Sequence, residues 1–110
     1  MFAEVKTALS SRISGNGYDD QIVLYIKAGA QELTRTGDII MPGEIDISFD
    51  AETGAVTDNS TVTDEYFIHA VALYCMIHIG NPPDREQLKV AYAEHRNRMT
   101  TCSEYTDWEG

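Results

Sequence analysis

Residues 63–83 read TDEYFIHAVALYCMIHIGNPP, and the fold turns on them. Phe67, Ala70, Val71, Tyr74, Cys75 and Ile77 leave few polar positions between them. A helix that is apolar on nearly every side must be covered on nearly every side, so this stretch predicts the central helix of the fold. Thr63 stands as its N-cap, with Asp64 and Glu65 in the first turn, where acids suit the positive end of the helix dipole. Gly80 ends it, and Asn81-Pro82-Pro83 turns the chain back. Asp84 then caps a more charged helix with Gln87 as capping-box partner. Leu88, Ala91, Tyr92, His95, Met99 and Cys102 form its apolar stripe, while Arg85, Glu86, Lys89, Glu94, Arg96 and Arg98 occupy its other faces. The tail Tyr105-Thr106-Asp107-Trp108 follows.

Upstream, Phe2, Val5, Ala8 and Leu9 recur at spacings of three and four, a short amphipathic helix. Gly15-Asn16-Gly17 marks a loop. Asp19 or Asp20 caps a second helix whose buried stripe is Ile22, Tyr25, Ile26, Ala30 and Leu33, with Gly37 as its stop. Gly29, between Ala28 and Ala30, forms a small-residue patch that another helix can approach closely.

Residues 38–62 follow a different period. Ile45, Ile47 and Phe49 alternate with Asp46, Ser48 and Asp50, the pattern of a half-buried strand. Asp50 to Gly54 supplies a turn, after which Ala55-Val56-Thr57 returns antiparallel. Six acids and no base occur from Asp38 through Asp58, so one face of this hairpin looks to solvent. The sequence therefore predicts a mainly α fold. It is a small four-helix bundle with a β-hairpin at about residues 44–58, inserted between the second and third helices. One domain spans residues 1–110, with a flexible tail over 104–110.

Composition narrows the function. Eighteen acids against eight bases give a formal net charge of −10 over 110 residues, without a basic cluster. Nucleic-acid binding rests on clustered cations that displace counterions, so sequence-specific DNA or RNA recognition is not expected. Ala70 to Ile79, the longest strongly apolar run, is about half a bilayer span. No basic-then-apolar leader opens the chain, and a soluble, intracellular protein is expected. If the last two helices fold back at Pro82-Pro83, Cys75 lies opposite Leu88. That is near 20 Å from Cys102 at about 1.5 Å per residue, beyond disulfide reach. Both cysteines read as small hydrophobes.

Catalytic patterns are wanting. Glu65 and His69 share a helix face and could bind one metal. His78 is out of phase with them, and His95 lies on another helix, so neither catalytic residues nor metal ligands nor a cofactor are assigned. Cys75 and His78 lack a third group to orient the base, and no Gly-x-Ser-x-Gly elbow exists. The acids of the hairpin lack calcium-loop spacing. The aromatic tail is the more suggestive feature. Tyr105 and Trp108 either fold back over the open end of the bundle or anchor a partner, as aromatic residues do at interface hot spots.

At these residues the chain resembles a known family. Val5-Lys6-Thr7-Ala8-Leu9-Ser10 and Tyr18-Asp19-Asp20-Gln21-Ile22 are similar to the opening of tailed-phage head–tail connector proteins, also called adaptor or DNA-packaging proteins. His69 to Cys75, His78-Ile79-Gly80-Asn81-Pro82-Pro83, Leu88-Lys89, Ala91-Tyr92 and Tyr105-Thr106-Asp107-Trp108 continue the likeness. Only residues 38–62 depart from it, as an insertion. The resemblance implies a non-enzymatic helical bundle that assembles as a ring, twelve-fold in the virion neck, after synthesis in the host cytoplasm. Its expected partners are the portal protein, a stopper or tail-completion protein and further copies of itself. DNA is passing cargo, and no membrane is involved. The expected partner-binding residues are Tyr105, Trp108, Ile45, Ile47 and Phe49. A competing reading is a small acidic phage module that regulates or inhibits a host protein; a metal enzyme built on Glu65 and His69 is a third. Gene order beside terminase and portal genes separates the first two.

Overall fold

Four helices and one hairpin follow in the order α1 (Phe2–Leu9), α2 (Asp19–Thr34), β1 (Ile47–Phe49), β2 (Val56–Asp58), α3 (Glu65–His78) and α4 (Arg85–Thr100). This computed structural model describes residues 1–12, 17–35, 39–80 and 82–101. Gly15, Asn16, Gly37, Cys102, Tyr105 and Trp108, each given a role above, lie outside the described residues.

The central helix is where the apolar run places it. α3 buries Phe67, Ile68, Ala70, Val71, Ala72, Leu73, Cys75 and Ile77, and α1, α2 and α4 all pack against it. Its cap is Asp64 rather than Thr63: the Asp64 carboxylate accepts the Phe67 N–H at 2.9 Å. An ionised acceptor at the positive end of the dipole gains more than a hydroxyl would. At the other end Ile79 N–H donates to the Cys75 carbonyl, and Gly80 takes φ +73°, a left-handed conformation that suits glycine.

α2 meets α3 through its small residues. A Cβ on Gly29 would lie 3.0 Å from Cδ1 of Tyr74, so only glycine lets that ring settle on the helix. Ile22, Ile26, Ala30 and Leu33 are buried as the stripe requires; Val23 joins them, and Tyr25 is half-buried. The N-cap position of α2 is Tyr18, which places both Asp19 and Asp20 in the first turn. Asp19 is buried and meets Lys6 of α1 at 2.9 Å.

α4 departs furthest from its expected pattern. Leu88, His95 and Met99 are buried, yet Ala91 is exposed. The helix rests chiefly on α3, and one neighbour covers a narrower stripe than a bundle interior would. Asp84 occupies the N-cap position without capping through its side chain, so the expected box with Gln87 does not form. Its carboxylate is held instead by Arg12, in a two-pronged pair at 2.9 and 2.8 Å. That fork pulls the Asp84 pKa down and ties the turn before α4 to the end of α1.

The hairpin pairs Ile47 with Asp58, Ser48 with Thr57 and Phe49 with Val56, one residue later on the return strand than expected. Ala55 belongs to the turn, which Gly54 closes at φ +74° while its N–H donates to the Asp50 carbonyl at 2.7 Å. Backbone bonds from Asn59 to Asp46 and from Thr61 to Glu44 carry the pairing down to its base. The hairpin does not reach clear of the bundle. Ile47 is 3 % exposed within the main core, and Ile45, Phe49 and Val56 pack against that core.

A long-range contact fixes the hairpin further. Asp58 Oδ2 accepts the Phe2 N–H at 2.7 Å and lies 3.0 Å from the Met1 ammonium, while Oδ1 accepts the Ser60 N–H at 3.0 Å. Met1, at the N-cap of α1, has no side-chain cap of its own, so a strand carboxylate does that work from 56 residues away. Burial pushes the Asp58 carboxyl up. The hydrogen bonds from Phe2, Ser60 and the ammonium outweigh it and hold the group well below the usual carboxylate range.

Candidate functional site

The hairpin presents two unlike faces. Of its apolar row, Ile47 is absorbed by the chain's own core, while Ile45 and Phe49 keep part of their surface. Glu44, Asp46 and Asp50, which continue the alternation on either side of β1, are exposed, and so is Glu52 in the turn. Met41 and Ile45 also line a cavity of about 210 Å³ with Lys27, Ala30 and Gln31 of α2, so the hairpin's base rests on one flank of that helix.

The opposite flank of α2 carries a ring cluster that periodicity did not announce. His78 stacks on Tyr25 at 5.4 Å between centroids and sits 4.3 Å from Tyr74, which in turn lies 5.9 Å from Tyr92. The Tyr92 hydroxyl donates to Glu32 of α2. Burial, then the Glu32 bond and its charge, push the Tyr92 pKa far up, so the phenol stays protonated. The signal was present in the half-buried stripe positions Tyr25, Tyr74 and Tyr92, but their meeting is a tertiary fact.

Beside this cluster lies a cationic hollow. Ile77, His78, Arg85 and Lys89 line a cavity of about 280 Å³ at the turn between α3 and α4. Arg85 Nε donates to the Ile77 carbonyl at 3.2 Å, which fixes the direction of the guanidinium. Burial, with Arg85 and Lys89 nearby, lowers the His78 pKa. A second cavity of about 280 Å³, more apolar, sits under the same turn between Leu9, Tyr18, Met76 and Ile79.

The remaining histidines do come together. His95 lies against α3, its ring stacked on Tyr66 at 3.9 Å and tilted against His69 at 4.9 Å. His95 Nε2 is 2.8 Å from the Tyr66 carbonyl, an acceptor, so that nitrogen carries its proton and offers no lone pair to a metal. Burial lowers the His95 pKa, the Tyr66 carbonyl opposes this, and His69 and Arg98 add to it. Among the described residues no group of three or more His, Cys, Asp or Glu is placed to hold a metal. Cys75 is fully buried, which pushes its thiol up to about 12 and disfavours the thiolate a nucleophile needs. No helix among the described residues is long and apolar enough to cross a membrane.

A family model described as phage connector protein matches residues 1–106, running through the hairpin as well as the helices. No match to the chain was found among curated proteins or among solved structures. With nearly its whole length accounted for by that one model, the chain belongs to the phage connector protein family.

Proposed function

We infer that the chain is a ring-forming head–tail connector, a structural part of the virion neck that docks under the portal, extends the DNA channel and offers a platform to a stopper or tail-completion protein. The observation that carries this reading is the family match over residues 1–106. The surface chemistry agrees with it. With a net charge of −10, such a ring presents DNA with a wall that repels phosphates, and the DNA slides past as cargo. The chain acts as one domain without catalysis or cofactor. It is made in the host cytoplasm and carried into the neck on assembly.

Tyr105 and Trp108 are the anchors of this reading. An indole desolvated in a neighbouring subunit or the portal contributes about 2 kcal/mol or more, the strength of a hot spot. The outward parts of Ile45 and Phe49 offer a second, smaller contact. Electron microscopy of the purified chain, alone and with portal-bearing heads, tests the proposal. Twelve-fold rings at the portal vertex are expected; heads that stay bare at saturating protein would refute it.

A further inference from the structure

We propose that the basic flank of α4 receives the acidic hairpin of a second copy, and that this contact is the repeating joint of the assembly. The inference rests on the ring reading above. A ring closes through head-to-tail contacts, which need two different, complementary surfaces on one chain rather than one self-complementary patch.

The charges are segregated in the way such a joint requires. α4 carries four of the chain's eight bases and only two of its eighteen acids. From Ile39 to Asp58 there is no base at all. On α4, Arg85, Lys89 and Arg96 fall on one flank by helical period. Val90, 58 % exposed, lies on the outer face of α4, about a third of a turn round from that flank and outside the joint. The cavity between Ile77, His78, Arg85 and Lys89 gives that flank a recess, and the Ile77 carbonyl already orients Arg85. On the hairpin, Glu44, Asp46 and Asp50 share the outward face.

The spacings agree. Two residues along a strand advance about 6.6 Å, and four along a helix about 6 Å, so Glu44 and Asp46 match Arg85 and Lys89 in step. From Asp46 to Asp50 is about 13 Å, against about 10 Å from Lys89 to Arg96, within reach of flexible side chains. Lys89 has Glu86 at 3.6 Å, an exposed pair that a better-placed carboxylate can displace.

Within one chain these two surfaces are kept apart. The hairpin's base lies on the Lys27–Ala30–Gln31 flank of α2, whereas Gly29 and Glu32 turn to Tyr74 of α3 and Tyr92 of α4. Acidic hairpin and basic helix therefore stand on opposite sides of α2 and do not meet within one chain.

Charge reversal tests this. Lys89→Glu and Asp46→Lys both alter exposed side chains, so circular dichroism and melting temperature should hold. Each alone should weaken self-association in sedimentation equilibrium about tenfold or more, as like charges then face each other across the joint. The double variant should recover most of the loss. A disulfide between Lys89→Cys and Asp46→Cys, in a Cys102→Ser background, should link neighbours into a ladder ending in a closed ring. If the single chain does not associate at accessible concentration, the same variants are scored by copies incorporated per portal-bearing head. Wild-type rings that tolerate both reversals, cross-links confined within one chain, or a Lys89→Glu effect on DNA retention but not on association would overturn the joint and leave the connector reading standing. A wild type that neither self-associates nor enters portal-bearing heads would overturn both.

Discussion

Asp58→Asn is the sharpest test of how the fold is held. The substitution keeps size and one acceptor but removes the charge that faces the Phe2 N–H and the Met1 ammonium. A hydrogen bond to a charged group contributes about 1.5–3 kcal/mol against about 0.5–1.5 for a neutral one, so each affected bond loses about 1 kcal/mol. Asp58 takes backbone N–H bonds from Phe2 and Ser60 and pairs with the ammonium, and its side chain is 19 % exposed, so solvent screens little of this. The expected loss over these three interactions is about 3 kcal/mol. At about 4 °C per kcal/mol for a chain of this size, the melting temperature at pH 7 should fall by about 12 °C.

The pH dependence carries a second signature. Asp58 is more acidic in the folded protein than in the unfolded chain, where an aspartate titrates near about 3.9. Its contribution is therefore fully present above that unfolded value and is lost as pH falls through the lower, folded one. Wild type should shed stability steeply below about pH 4, and Asp58→Asn should start lower and fall less over the same range. Urea titrations from pH 7 to pH 2, followed by circular dichroism, measure both. Parallel acid profiles, or a variant that melts within a degree of wild type, would show that the strand carboxylate does not cap α1.

Three other outcomes are expected. Gly29→Ala should lower stability despite its better helix propensity, because overpacking against the Tyr74 ring costs about 1–3 kcal/mol and propensity returns only about 1; a raised melting temperature would refute the close approach. In a Cys102→Ser background, Cys75 should react with a thiol reagent only at the rate of unfolding, with pseudo-first-order labelling insensitive to pH between 7 and 9; rapid native-state labelling would contradict its burial. Trp108→Ala should leave the melting of the isolated chain unchanged yet block its entry into portal-bearing heads, and Trp108 emission, red-shifted in dilute monomer, should shift to the blue on assembly. Blue-shifted, quencher-resistant emission from dilute monomer would transfer the tail to its own bundle.

The parts legible in the sequence are those in which a residue's neighbours along the chain decide its place. The apolar run of α3, the alternation of Ile45 to Phe49 and the small patch at Gly29 each report a local period or a local absence of bulk, and all three hold. Polar side chains with a choice of partner were not legible. Asp84 stands where a cap belongs, yet prefers a guanidinium 72 residues away, and Asp58 caps a helix in which it has no part. A charge-assisted bond to a group brought near by the fold is stronger than a local cap, and periodicity carries no record of it. The same holds for His95, whose arrival beside Tyr66 and His69 follows from how α4 leans on α3. The basic hollow at His78, Arg85 and Lys89 joins residues from two helices across a turn. Read along α4 alone, its cations merely fall on the faces away from the apolar stripe.

Charge distribution decides whether such a chain can assemble. Copies that each carry −10 repel one another, and the repulsion grows with every copy added to a ring. At physiological ionic strength the screening length is about 8 Å, so most of that repulsion fades between distant groups while contact pairs at a joint persist. Under those conditions the outcome is set by what meets at short range, and the short-range partners must be of opposite sign. A uniformly acidic surface would fail this requirement. In the proposed joint, concentrating half the bases on α4, with none on the hairpin between Ile39 and Asp58, would meet it without a basic cluster large enough to hold DNA. The anchoring of the hairpin serves the same end. With Ile47 in the core and Asp58 bonded to Phe2, the hairpin is anchored to the bundle, so in the proposed joint little ordering entropy would be lost on docking. If the hairpin is an assembly element, Asp58→Asn should also weaken self-association in sedimentation equilibrium under conditions where the chain stays folded; association equal to wild type would leave the hairpin as mere cover for α2.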